Sequence, residues 1–210
     1  MEALGDFAAT LRARALPLGL IGESDSGRIW DRHVMDSLRG LACMRATDGT
    51  VADLGSGAGL PGIPLAIALP RVRFTLVEPR RRRAAFLEAV VQDLGLSNVV
   101  VAPVRAQEVS PGVDVCLARA LASPETSWRW AAPLLGPGGR LLYWAGRSWE
   151  RGREERLALA GATIEICSKP EFQWQGPLVI MTRSFTPSPK DHEPTRRSVR
   201  RDAEGPSAEH

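Results

Sequence analysis

A carboxylate and several closely spaced glycines lie together in the stretch from Val51 to Gly62, VADLGSGAGLPG. The apolar residues 51–54 predict a buried strand, and the glycines predict a turn too tight for side chains. Pro61 suits the first turn of the next helix, predicted over residues 63–69, because its missing amide hydrogen would be unpaired there. The turn therefore exposes main-chain amides to a ligand that approaches the backbone closely.

Two ligand templates fit this turn. The GxGxxG fingerprint of dinucleotide-binding proteins is matched by Gly57, Gly59 and Gly62. The DxGxGxG loop of S-adenosylmethionine-dependent enzymes is matched by Asp53, Gly55, Gly57 and Gly59. We favour the second template, because Asp53 can hold a ligand ammonium group whereas its charge would repel a pyrophosphate. The alternatives are a nicotinamide-dependent dehydrogenase, a non-catalytic adenosine-binding protein and a tight turn that binds no ligand.

A second carboxylate, Glu78, follows residues 74–77, which predict a parallel strand. The carboxyl ends of parallel strands share one edge of a sheet, so Glu78 is predicted to bind the ribose hydroxyls of the same ligand. Strands and helices alternate onward, which predicts an α/β fold with seven strands, the last two forming a pair. The remaining strands are predicted over residues 99–102, 113–117, 140–144, 163–168 and 178–184, the helices over 80–94, 128–135 and 150–160, and a turn at Gly138 and Gly139.

Composition favours a cytoplasmic protein with one main domain. The 210 residues, 44% of them hydrophobic, are enough for one core. No stretch approaches the roughly 20 apolar residues of a membrane helix or the pattern of a signal peptide. Cys43, Cys116 and Cys167 lie far apart in apolar segments, without the spacing of a zinc site. We therefore predict reduced core cysteines and no metal.

Arginine carries almost all of the positive charge, since the net charge is +3 and the only lysines are Lys169 and Lys190. Guanidinium groups fork onto phosphates and stack on bases, which favours a nucleic-acid partner. The codon bias of a GC-rich genome would enrich arginine equally, so composition alone leaves the partner open. Residues 80–83, all arginine, would occupy the first turn of a helix, either bound to phosphate or simply solvated.

A helix is predicted over residues 29–44, IWDRHVMDSLRGLACM, after an amphipathic helix over residues 2–16 and a glycine-rich loop over residues 18–26. Arg32 and Asp36 are four residues apart, so they are predicted to pair on this helix. An ion pair of this kind is more often structural than catalytic, and the same holds for a lone histidine such as His33. Their role therefore depends on the motif that contains them.

The segments WDRHVMDSL at residues 30–38 and DLGSGAGLPGIPLAI at residues 53–67 resemble the RsmG family, formerly glucose-inhibited division protein B. These are bacterial methyltransferases of guanine in 16S ribosomal RNA, and the resemblance continues through residues 77–99. It implies a Rossmann-like, seven-stranded class I fold that uses S-adenosylmethionine. We predict an N-terminal helical extension over residues 1–49, the methyltransferase domain over 50–185 and a disordered tail over 186–210. The implied partner is 16S ribosomal RNA or the small ribosomal subunit, and we expect a monomer.

The resemblance also implies individual roles. In VRAQEV, Ala106 and Gln107 match positions that line the family's adenine pocket, although glutamine replaces the usual glutamate. Arg119 matches an arginine at the carboxyl end of a strand, where parallel sheets bind ligands. The implied cofactor-binding residues are Asp53, Gly55, Gly57, Gly59, Leu60, Glu78, Ala106, Gln107 and Arg119. The implied catalytic residues are Arg32, His33, Asp36 and Arg119.

The seven-position nitrogen of guanine carries a lone pair that can attack a methyl group, so this reaction needs no general base or nucleophile. Two positions depart from the family pattern. Ala145 stands where the fifth strand of the family carries lysine, with Arg147 two residues later, and residues 173–177 lack the usual arginine. These departures leave open a divergent methyltransferase that acts on another RNA or on a small molecule.

Overall fold

The fold is built on one sheet. A computed structural model describes residues 2–146, 149, 156–158, 160–167 and 176–183. The strands of the sheet are Thr50–Leu54 (β1), Arg73–Val77 (β2), Val99–Ala102 (β3), Val113–Arg119 (β4), Leu135–Trp144 (β5), Ala162–Cys167 (β6) and Leu178–Arg183 (β7). They lie in the order β3-β2-β1-β4-β5-β7-β6. The strands β1 to β5 are parallel, and β7 is antiparallel to both neighbours. The predicted seven strands and their closing pair are confirmed.

Helices cover both faces of the sheet, as a buried parallel sheet requires. They are Glu2–Thr10 (α1), Asp36–Leu38 (α2), Gly62–Ala68 (α3), Arg81–Asp93 (α4) and Pro124–Ala131 (α5). On one face, α1, α3 and α4 pack on the sheet through Phe7, Ile63 and Leu87. On the other face, α5 packs through Trp128. The segment before β1 therefore shares a face with α3 and α4.

The predicted helix over residues 29–44 is confirmed in place, but it is not regular. It divides into a π-helical turn Trp30–Met35, then α2, then a 3-10 turn Arg39–Cys43. The Ser37 hydroxyl donates to the carbonyl of His33 at 2.6 Å, a bond that competes with main-chain bonding in helices. A Cβ atom on Gly40 would lie 2.9 Å from the ring of Trp144, so the segment presses directly on β5.

Some predicted boundaries are wrong. Gly138 and Gly139 form no turn but lie inside β5, where its register with β4 shifts as in a bulge. A Cβ atom on Gly139 would lie 3.0 Å from two carbonyl oxygens, so a side chain has no room there. The helix predicted to continue through residues 128–135 ends sooner: α5 closes at Ala131, a 3-10 turn follows at Ala132–Leu134, and β5 already starts at Leu135.

The helix predicted over residues 150–160 is helical at residues 156–158, whereas Ala160 lies in a turn. The rest of that range and the predicted tail lie outside the described residues. The domain division stays a prediction. Among the described residues, every helix is too short or too polar to span a lipid bilayer. Those residues also include no group of three or more metal-binding side chains. The cysteines are free, with Cys43 and Cys116 buried and Cys167 half-buried.

Candidate cofactor and substrate site

The glycine turn after β1 is held by the end of the neighbouring strand. The amides of Gly55 and Ser56 donate to the carbonyl of Val77 in β2, at 2.8 and 3.1 Å. The chain then turns back, and the Gly59 amide donates to the carbonyl of Ser56 at 2.7 Å. Gly55, Gly57 and Gly59 have φ values of 69°, 58° and 90°, a region that side chains disfavour. The predicted tight turn is confirmed.

The three glycines differ in what surrounds them. A Cβ atom on Gly55 would lie 2.4 Å from Leu121 Cδ1, and one on Gly59 would lie 2.4 Å from Ile63 Cδ1. At Gly57 the nearest atom would be the carbonyl oxygen of Gly55, at 3.8 Å. The protein itself therefore fills the space beside Gly55 and Gly59 but leaves the space beside Gly57 open. Gly57 is the point where a ligand can reach the main chain.

The Asp53 carboxylate lies beneath the turn and has an exposed fraction of 0%. Its Oδ2 accepts a hydrogen bond from the Gly62 amide at 3.1 Å, which fixes the start of α3. Its Oδ1 is buried without a hydrogen-bond partner. Burial raises the pKa of Asp53 to about 7, although the nearby Ser56 hydroxyl and the Gly62 amide oppose the rise. A buried carboxylate oxygen without a partner is a candidate contact for a cationic group of a ligand.

Glu78 ties the end of β2 to the same turn. One carboxylate oxygen accepts a hydrogen bond from the Gly57 amide at 3.1 Å, and the other accepts one from the Arg80 amide at 3.0 Å. Ala106 and Gln107 lie in a short 3-10 turn, Ala106–Glu108, between β3 and β4. The strands β3, β2 and β1 are neighbours, so these residues and the half-buried Leu60 are brought to one edge of the sheet.

A second cluster lies beside β4 and β5, around the buried Asp36. One oxygen of Asp36 lies 2.7 Å from Arg39 Nη1 and the other 3.1 Å from Arg119 Nη2. The predicted pair of Arg32 with Asp36 is wrong, because the partners of Asp36 are these two arginines. Arg32 Nη1 instead lies 3.2 Å from Oδ1 of Asp25, a residue in the 3-10 turn Glu23–Arg28.

His33 connects Asp25 to Arg119. Its Nε2 lies 3.1 Å from Asp25 Oδ2, and its Nδ1 lies 3.4 Å from Arg119 Nη2. Arginine can only donate, so Nδ1 accepts and Nε2 carries the proton. Burial and the charge of Arg119 lower the pKa of His33, although Asp25 opposes them. His33 is therefore neutral near pH 7 and orients Arg119.

Arg119 ends β4 and reaches the segment before β1. Its Nη2 donates to the carbonyl of Arg32 at 2.7 Å. Burial lowers its pKa, and the charge of Asp36 opposes this. The next residue, Ala120, has a φ of 51°, a strained conformation for a residue with a side chain. This sharp bend separates Arg119 from Leu121, which packs on Gly55 of the glycine turn.

A cavity of about 340 Å³ opens on this cluster. It is lined by Arg28, Arg32, Arg39 and Arg119, by Asp36, by Tyr143 and Trp144 at the end of β5, and by Ala120, Ala145, Gly146 and Gly176. Cations beside aromatic rings suit a ligand with both phosphate and a planar base. The structure thus brings Arg32, Asp36 and Arg119 together at this cavity, with His33 behind Arg119.

Sequence reasoning missed Asp25, Arg28 and Arg39. The spacing of three residues between Asp36 and Arg39 was a usable signal, whereas nothing local points to Asp25. Arg39 Nη2 also donates to the carbonyl of Gly176 at 2.8 Å. Arg39, which comes from another part of the chain, therefore places a cation in the cavity that Ala145 also lines. Ala145 is the position where the family carries lysine. Arg147 and residues 171–175 lie outside the described residues.

Comparisons with known proteins identify the family of this chain. The family GidB, described as rRNA small subunit methyltransferase G, matches residues 1–164. The ribosomal RNA small subunit methyltransferase G of Mycolicibacterium gilvum is 43% identical over 165 residues, covering 75% of this chain and 71% of that one. The protein of the same name from Mycobacterium sp. strain KMS is 38% identical over 206 residues, covering 92% and 90%.

A solved structure supports the fold. The SAM dependent methyltransferase from Aquifex aeolicus superposes with a TM-score of 0.58 at 16% sequence identity, covering 77% of this chain and 98% of that one. The sheet order and the glycine turn fit a methyltransferase fold, and the matched sequences are those of methyltransferases. The chain therefore belongs to the rRNA small subunit methyltransferase G family, and its fold is the one that S-adenosylmethionine-dependent methyltransferases share.

Proposed function

We propose that the protein transfers a methyl group from S-adenosylmethionine to the seven-position nitrogen of a guanine in a loop of 16S ribosomal RNA. Family membership supports the methyl transfer and the class of RNA. The observation that carries the proposal is the arginine-lined cavity at the carboxyl ends of β4 and β5. Its lining residue Ala120 precedes Leu121, which packs on Gly55 of the glycine turn, so a nucleotide in the cavity would lie near a cofactor at the turn.

The residues around the turn fit S-adenosylmethionine. Glu78 would hold the ribose hydroxyls, Gly57 would contact the ligand through the main chain, and the unpaired Oδ1 of Asp53 would face the ammonium group. Ala106 and Gln107 would line the adenine, and Leu60 would complete the cofactor site, whereas Arg119, which lines the cavity, would act on the acceptor. When bound, the cofactor supplies an electrophilic methyl group on a positively charged sulfur.

The cavity residues would hold the acceptor guanine. Arg32 and Arg28 are exposed and would bind phosphate, while Tyr143 and Trp144 form the apolar wall. Asp36 shares its charge with two arginines, so it positions Arg119 and Arg39 rather than neutralising the methylated purine. His33 holds Arg119 in place from behind. The rate then comes mainly from alignment of the nitrogen lone pair with the methyl group.

The target guanine is proposed to be unpaired. The seven-position nitrogen faces the major groove, which in an RNA duplex is too deep and narrow for side chains to enter. A guanine in a loop, or one flipped out of its stack, can enter a cavity of about 340 Å³. A paired guanine in a continuous helix cannot.

The test is methylation by the purified protein of small-subunit RNA taken from a strain that lacks the gene. Mass spectrometry of nuclease fragments should find one added methyl group on one guanine, and large-subunit RNA serves as the control. RNA that gains no methyl group, while S-adenosylhomocysteine still binds, would refute the RNA substrate and favour a small-molecule acceptor. If the purified protein does not bind S-adenosylhomocysteine, the assignment of the cofactor site is refuted.

Cofactor binding is expected to depend on pH through Asp53. An ammonium group beside Oδ1 favours the ionised carboxylate, so binding releases the proton that Asp53 holds below its pKa of about 7. Affinity for S-adenosylhomocysteine should therefore rise with pH and level off above that value, changing by up to about tenfold per pH unit below it.

Titration calorimetry from about pH 5.5 to 7.5 in buffers of different ionisation enthalpy measures this proton release. The variant Asp53→Asn should bind more weakly and lose the pH dependence, whereas Glu88→Gln, on the exposed side of α4, should keep it. If the wild-type protein binds S-adenosylhomocysteine with the same affinity at every pH in this range, a contact between Asp53 and the ammonium group is contradicted.

A further inference from the structure

The helix α4 begins with a patch of exposed positive charge. Residues 80–83 are all arginine, Arg80 caps the helix without a side-chain hydrogen bond, and the first turn holds no acidic residue. Arg80, Arg81 and Arg82 are exposed, and Arg83 is half-buried. Within the described part of the chain, none of the four forms an ion pair with a carboxylate.

This arrangement is unfavourable for the helix alone. The amino end of a helix carries partial positive charge, so cations in the first turn are repelled by it and by one another. An anion bound beside the patch would remove this repulsion.

The patch and the cavity occupy the same side of the protein. The helix α4 packs through Phe86 and Leu87 into the same core as Ile29. Ile29 follows the cavity residue Arg28 in the chain, so α4 and this wall of the cavity share a face of the sheet. The amino end of α4 follows β2 directly, so it lies at the carboxyl edge of the sheet, as the cavity does at the ends of β4 and β5. Between them lies the glycine turn, and β2 is three strand spacings from β5, about 14 Å.

We propose that the RNA strand bearing the target guanine crosses the cofactor turn and that the arginines at residues 80–83 bind phosphates of its flanking nucleotides. The inference rests on the proposed function and adds a second contact surface to it. A guanidinium group binds phosphate without reading the base, so this patch supplies affinity and direction but no sequence specificity. The cavity selects the guanine.

The double variant Arg81→Gln/Arg82→Gln tests the patch, because glutamine keeps the helix-forming side chain and relieves the repulsion in the first turn. The matched control is Arg71→Gln/Arg73→Gln, which removes the same charge from exposed positions at the amino end of β2, on the opposite edge of the sheet. Methylation kinetics and RNA binding are measured against salt concentration, with S-adenosylhomocysteine affinity measured in parallel.

We expect the patch variant to raise KM for 16S RNA roughly three- to tenfold with kcat unchanged. It should also reduce the slope of log K against log salt by about two, while the control stays near the wild type. A salt slope equal to that of the wild type, or an equal loss in the control variant, would overturn the inference. If wild-type protein binds S-adenosylhomocysteine but does not methylate this RNA, the proposed function itself fails, an outcome distinct from failure of the patch.

Discussion

Replacing Arg119 by alanine is expected to lower kcat for 16S RNA methylation by about 100-fold or more, with S-adenosylhomocysteine still bound. Its guanidinium group lines the cavity and is oriented by Asp36, by the carbonyl of Arg32 and by His33. Loss of a fixed donor of this kind acts on the bound acceptor more than on the fold. Asp36 keeps its bond to Arg39, so the free energy of unfolding should fall by only about 1–2 kcal/mol.

Two further variants separate charge from geometry. Arg119→Lys keeps the positive charge but loses the planar fork, so we expect it to remain well below wild-type activity. Arg14→Ala is the control, because Arg14 pairs with Asp93 on the surface of α4 and lines no part of the cavity. Wild-type kcat in Arg119→Ala would exclude Arg119 from catalysis. Loss of cofactor binding with unchanged kcat at saturation would assign it to the cofactor site instead.

The cofactor half of the site was predictable because its signals are local. The spacing of Gly55, Gly57 and Gly59 forces a turn whatever the rest of the chain does. Glu78 follows from the geometry of parallel strands, whose carboxyl ends meet at one edge. Here the sequence motif and the structure describe the same feature.

The substrate half was less predictable because its contacts join distant segments. Arg32 and Asp36 have the spacing of a helix pair, yet Arg119, 87 residues beyond Arg32, takes one oxygen of Asp36. Asp25 lies in a segment predicted as a loop, and no pattern near it indicates that it binds both Arg32 and His33. Partners of this kind depend on tertiary packing, which outweighs the local preference for a pair on one helix.

Arg140 is the clearest case of a residue whose environment the sequence does not indicate. It was predicted to begin a strand, but a single arginine among apolar residues gives no sign of full burial. Its exposed fraction is 1%, and its Nη1 and Nη2 lie 2.9 and 2.5 Å from the two oxygens of Asp48. It also donates to the carbonyl of Cys43 at 2.6 and 3.2 Å. This group joins β5 to the N-terminal segment and to the chain entering β1.

Replacing Asp48 by alanine is expected to lower the free energy of unfolding by about 3–5 kcal/mol, because the Arg140 charge would stay buried without its partner. This loss is a large part of the roughly 5–15 kcal/mol typical of a domain. Urea unfolding followed by circular dichroism measures it. The control is Asp93→Ala, which removes an ion pair of 2.6 Å at the surface and should cost about 1 kcal/mol or less.

The double variant Asp48→Leu/Arg140→Met distinguishes burial of an unpaired charge from loss of a favourable bond. Because it removes both charges and fills the space with apolar atoms, it should be more stable than Asp48→Ala, and close to the wild type. Equal or greater loss in the double variant would show that the pair contributes net stability. A fall in the free energy of unfolding of less than about 1 kcal/mol in Asp48→Ala would contradict the buried pair itself. A buried guanidinium group that has lost its carboxylate partner is expected to destabilise the fold by more than that.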